Sequence, residues 1–189
     1  GGFPPELYAA QYPAPGAPDA ATATLELLRE HHAEPDAEWG LDHGAWCVLL
    51  HMFPKADVPV YQLSLNLSLS MAEHMKLAQE LRALRTRGVL IVASGNMVHN
   101  LPAMRWGASA FDFALEFDGL VAQAIETRDF AKLTELNPRG PLMRMAHPTI
   151  EHYLPLLYTL GAADEADAPR FFAEGFDLGS ISMKSVILG

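Results

Sequence analysis

The chain has 189 residues, half of them hydrophobic, with 13 Lys and Arg against 23 Asp and Glu and a formal net charge of -10. That apolar content suffices for one compact core, and the acidic balance repels a phosphate backbone, which excludes nucleic acid as the expected partner. A single cysteine, Cys47, excludes an intrachain disulfide and a Cys-rich zinc site. No apolar run reaches the ~20 residues of a membrane span, so no membrane is expected and the expected location is cytoplasmic.

Gly1 to Tyr8 and Tyr12 to Gly16 are rich in proline and read as extended and turn segments, since each ring fixes its own φ and biases the residue before it away from helix. Asp19 to His31 is expected to be a helix capped by Asp19, with Leu25, Leu27 and Leu28 on its apolar face. A second, short helix follows, capped by Asp42, carrying His43 in its first turn and stopped by Pro54.

Val58 to Leu65 alternates and reads as a strand, Ser70 to Arg87 as a helix with Leu77, Leu81 and Leu84 inward, and Gly88 to Ala93 as a strand buried on both faces. Strand, helix and strand in that order make a βαβ unit. The expected class is therefore α/β, a single domain with a mainly parallel central sheet flanked by helices. Further on, Phe111 to Phe130 reads as a helix, Asn137 to Pro141 as a turn, Tyr153 to Leu160 as a helix and Ala162 to Ala168 as an acidic loop. Two closing strands are expected around Gly179.

Chemistry is expected at histidines. His99, in Ser94 to Leu101, follows directly on the second strand, where ligands of open α/β sheets bind. It reads either as a chemical group or as a hydrogen-bonder that steadies the loop. His147 and His152 flank a helix start, but five-residue spacing separates them in angle on a regular helix, so at most one is a good ligand, and His152 is the more rigidly held. His43 reads equally as a substrate contact or as part of a helix terminus. His31, His32, His51 and His74 have blander readings, His74 on a solvated helix face. Trp46 and Trp106 lie near His43 and His99 in sequence and are candidates to shape a flat aromatic pocket.

Taken together and in order, Gly2 to Tyr8 with Tyr12 to Gly16, Gly40 to Trp46, His51 to Val60, Ser94 to Leu101, Thr149 to Leu157 and Gly179 to Val186 resemble the DOPA 4,5-dioxygenase-like family of class III extradiol ring-cleavage dioxygenases. The resemblance implies a non-haem metal enzyme that opens the ring of a catechol such as DOPA with O2, giving a semialdehyde. It implies His152 as a metal ligand, His99 as metal contact or acid/base, and His43 as a substrate-side or acid/base histidine. Fe(II) is the implied catalyst, because zinc has no redox chemistry. Zn(II) is the possible bound ion of the alternative, a metal-binding protein on the same scaffold without oxygenase activity. The family also has an N-terminal strand and loop segment bearing two further metal-binding histidines. Residues 1–189 are accordingly read as the catalytic domain lacking that segment.

Overall fold

The computed structural model describes residues 4–189, so the reading of Gly1 to Phe3 lies outside the described residues. The chain divides into two compact units, Gly1–Ser64 and Leu65–Gly189.

In the first unit, α1 (Pro5–Tyr8) is a single helical turn begun by Pro5, where an extended segment was expected. Proline is well suited to that first position, because its φ is already helical and its missing N–H is not needed there. For the same reason α2 (Pro18–Leu27) starts at Pro18 with Ala17 before it, and Asp19 lies in the first turn without capping it. The turn Arg29–His31 closes that helix, and His32 follows at φ 52. α3 (His43–Met52) matches expectation: the Asp42 carboxylate accepts from the Ala45 N–H, and the helix ends before Pro54. Val58 to Leu65 forms no strand. Its one ladder contact is a parallel bridge between Gly16 and Val60. The segment is held instead by side chains, with the Tyr61 hydroxyl against Thr24 Oγ1 at 2.6 Å and Gln62 engaging both the N–H and the carboxylate of Asp42.

The second unit is built on α4 (Met71–Leu81), opened by a capping box in which Ser70 and Glu73 satisfy each other's backbone N–H groups. Leu77, Leu81 and Leu84 are buried as expected, the last in a tighter 3-10 continuation, Arg82–Arg87. His74 is 0% exposed, not solvated: it shares the inward stripe of Met71, Met75 and Ala78, and its Nδ1 lies 2.9 Å from the Tyr158 hydroxyl.

The expected long helix is divided into α5 (Asp112–Glu126) and α6 (Phe130–Thr134) by Arg128 at φ 57. After the turn at Asn137 come α7 (Pro141–Ala146), a 3-10 turn Ile150–His152, and α8 (Leu154–Gly161). α4 packs along α8 so closely that a Cβ on Gly161 would meet Ala78 Cβ at 2.6 Å and the Met75 carbonyl at 2.8 Å. Phe117, Val121, Ile125, Leu133, Tyr153, Leu157 and Leu160 fill the adjoining core. Arg85 and Arg128 gather onto the acidic loop after α8, reaching the Asp164 and Asp167 carboxylates and the carbonyls of Ala162, Asp164 and Asp167.

The strands are small. β1 (Pro169–Phe172) pairs antiparallel with β4 (Ser185–Leu188), and β2 (Phe176–Asp177) pairs with β3 (Ile181–Ser182) around Leu178 and Gly179, both at positive φ. The fold is thus α/β in the broad sense of mixed helix and strand, but both ladders among the described residues are antiparallel and two-stranded. Gly88 to Ala93 joins neither. Leu90 is 64% and Val92 42% exposed, so this run is not buried on both faces. Its β-prone composition lacks the neighbouring strand that would turn propensity into a ladder. Among the described residues no helix is long and apolar enough to cross a membrane.

Candidate active site

His99 and His152, 53 positions apart in sequence, come face to face. Their ring centroids are 3.6 Å apart and their planes 17° from parallel. Each ring rides on backbone that is tied down. The His99 N–H donates to the Ala146 carbonyl, and the residues on either side are stitched to β3, with the Ser182 N–H on the Val98 carbonyl and the Asn100 N–H on the Ser180 carbonyl. The Ser180 hydroxyl returns a bond to the Asn100 carbonyl, while the Asn100 side chain donates to Met145 and accepts from Ala103.

On the other side, the Asn96 N–H donates to the His152 carbonyl at 3.0 Å and its side chain donates to the Ser182 carbonyl at 2.9 Å. Gly95 makes this approach possible. A Cβ there would lie 2.3 Å from the His152 carbonyl oxygen, too close for any side chain. Behind β3, Ser182 Oγ donates to Asp118, whose other oxygen takes Lys184 Nζ at 2.7 Å.

The electrostatics favour a neutral His99. Burial holds its pKa below the ordinary value, the adjacent His152 pushes the same way, and Glu151 opposes them. Glu151 itself is kept ionised: burial works against its charge, but hydrogen bonds from Thr149 and its own backbone, then the two imidazoles, win. His147 lies beneath, buried, with Nε2 3.0 Å from the Met97 carbonyl. A carbonyl can only accept, so Nε2 carries the hydrogen. Burial pushes this ring down to about 4, and Nδ1 has no hydrogen-bond partner among the described residues.

Of the residues expected from sequence, His99 and His152 are thus brought together. His43, exposed at the start of α3 behind its Asp42 cap, belongs to the first unit. Trp106 is 92% exposed, in a turn. Sequence reasoning missed Gly95 and Asn96, whose importance lies in a contact 56 or more residues away, and set His147 behind His152 as a candidate ligand on spacing and rigidity alone. For a metal the donor chemistry fits in kind, since neutral imidazole binds divalent ions, but not in number. Among the described residues no group of three or more His, Cys, Asp or Glu is placed to hold one, whereas a non-haem iron face takes three ligands.

Residues 5–187 match the family model described as the catalytic LigB subunit of aromatic ring-opening dioxygenase. The chain is 42% identical to a 4,5-DOPA dioxygenase extradiol of Escherichia coli K12, with all of this chain and 72% of that one aligned, and 35% identical to the protein of the same name from Beta vulgaris, covering 97% and 70%. The fold superposes on the crystal structure of an uncharacterised Escherichia coli K12 protein with a TM-score of 0.84 at 38% identity, covering 95% of this chain and 76% of that one. The chain belongs to the LigB family and is an aromatic ring-opening dioxygenase. Enzymes of this family depend on a non-haem metal.

Proposed function

We propose that the reaction is extradiol cleavage of a catechol, DOPA or a close analogue, in which both atoms of O2 enter the product and the carbon–carbon bond beside the diol opens to a semialdehyde. The observation that carries this reading is the stacked His99–His152 pair, with His99 held in its neutral form. The names of the relatives, 4,5-DOPA dioxygenase extradiol, supply the substrate class.

His152 would hold the family's metal, with His99 either as its second contact or as the acid/base, and Fe(II) when bound supplies the redox chemistry with O2. In the acid/base role, His99, unprotonated at neutral pH, has its one free imidazole nitrogen ready to accept a phenolic proton from the catechol and to return it as the ring opens. His43 is assigned to the substrate side on the family resemblance. Residues 1–189 form the catalytic domain in this reading. The further donors would be the two histidines that the family resemblance assigns to an N-terminal strand and loop segment outside residues 1–189.

The test is oxygen uptake with DOPA and simple catechols, alongside metal content after loading with Fe(II) or Zn(II). The His99→Ala variant is expected to abolish ring opening, and His152→Ala to lower bound metal as well. Full turnover in His99→Ala would overturn the assignment. A filled site without oxygen uptake on any catechol would favour a zinc-binding protein on the same scaffold.

A further inference from the structure

Beneath the stacked pair sits an imidazole that the reaction as read does not use. His147 is 3% exposed, and its ring is wedged edge-on between Phe117 and Tyr153, at centroid distances of 5.5 and 5.3 Å. The Tyr153 hydroxyl is itself anchored on the Leu133 carbonyl, which fixes one of the two rings that flank His147. One edge of the His147 ring donates from Nε2 to the Met97 carbonyl, two residues before His99, while the carbonyl of the adjacent Ala146 accepts the N–H of His99 itself. The His99 loop is therefore held at two points by consecutive residues of the segment that runs on to His152.

Packing alone does not account for an imidazole here. A leucine would fill comparable space with no polar atom to desolvate, whereas this ring leaves Nδ1 buried and unpartnered among the described residues, an arrangement that costs free energy. What the imidazole adds is a directional bond to one carbonyl of the active-site loop.

We propose that His147 is a positioning residue: through the Met97 carbonyl it sets the face-to-face alignment of His99 with His152. This rests on the ring-opening reading of that pair, although the alignment itself can be read without turnover.

Two polar replacements separate the clamp from the volume it occupies. Gln places its amide nitrogen near the position of Nε2 and can still donate to Met97, whereas Asn stops short. At one fixed pH, the full chain and both variants are compared for the cross-relaxation peak between the His99 and His152 ring protons and for the upfield shift that stacking imposes on them. Oxygen uptake with catechol gives kcat and KM in parallel. In His147→Asn the cross-peak and the shift are expected to vanish and kcat to fall ~100-fold with little change in KM, as for a misplaced reacting group. His147→Gln is expected to restore both. An Asn variant that keeps the cross-peak, or a Gln variant as impaired as Asn, would overturn the proposal. If a longer chain that supplies the further donors binds its metal and opens no catechol, the functional reading fails and the ring-proton signals alone decide the role of His147.

Discussion

Gly88 to Ala93 and Ser94 to Leu101 are consecutive, and they reverse what their compositions suggest. The first is almost wholly apolar and β-prone, yet it joins no ladder and leaves Leu90 and Val92 in solvent. The second holds Ser, Gly, two Asn and a His, yet nearly every residue from Asn96 to Asn100 bonds to β3 or to the segment around His147 and His152. Order at the site comes from carbonyls and amides presented at the right spacing, and hydrophobicity next door has not bought any. A strand is a relation between segments, so six good residues without a partner remain a loop.

The sharpest way to break this contrast is at Gly95. Placing a methyl group 2.3 Å from the His152 carbonyl forces the loop and the histidine segment apart, so Gly95→Ala is expected to lower kcat/KM for ring opening by at least ~100-fold. Steady-state kinetics at parent-like activity would show that the contact is not needed.

A smaller effect concerns His147. Because its folded-state pKa of about 4 lies below the ordinary 6.5, the unfolded chain takes up the proton first. The stability gained from the neutral ring is complete above pH ~6.5, drains as the pH falls and is gone near 4, roughly 3 kcal/mol at most. Urea midpoints at pH 7 and 4.5 measure it, and His147→Gln, which does not titrate, should flatten that part of the slope. The direction at buried His74 is the same and supplies part of what remains.

The smallest effect is expected at Leu90. As a residue of a strand buried on both faces, its truncation to Ala would cost about 2–5 kcal/mol. At 64% exposure the cost should stay within ~0.5 kcal/mol in urea unfolding of this chain. A large loss would mean that the segment is covered after all.

How much was legible in the sequence follows from the range of the forces involved. α3 and α4 are announced locally, by Asp42 and by the Ser70–Glu73 box, and they start where those signals place them. α7 hides because its start follows a Gly-Pro that reads equally well as a turn. His74 was readable: three residues after Met71 and four before Ala78, it lies on the same stripe, and only its polarity argued for the outside. The pairing of His99 with His152 came from family resemblance. Spacing alone could not supply it, because the contact depends on the Gly95 and Asn96 backbone meeting a carbonyl far along the chain.

The acidic loop after α8 carries a consequence for the life of the molecule in a protease-rich setting. By composition, Ala162 to Ala168 is a surface stretch of small and charged residues of the kind most often nicked. A protease must draw such a stretch out as an extended strand, but Arg85 and Arg128 hold its carbonyls at Ala162, Asp164 and Asp167 and fold it back on the helices. Release of those two arginines is therefore the step expected to open this loop to cleavage.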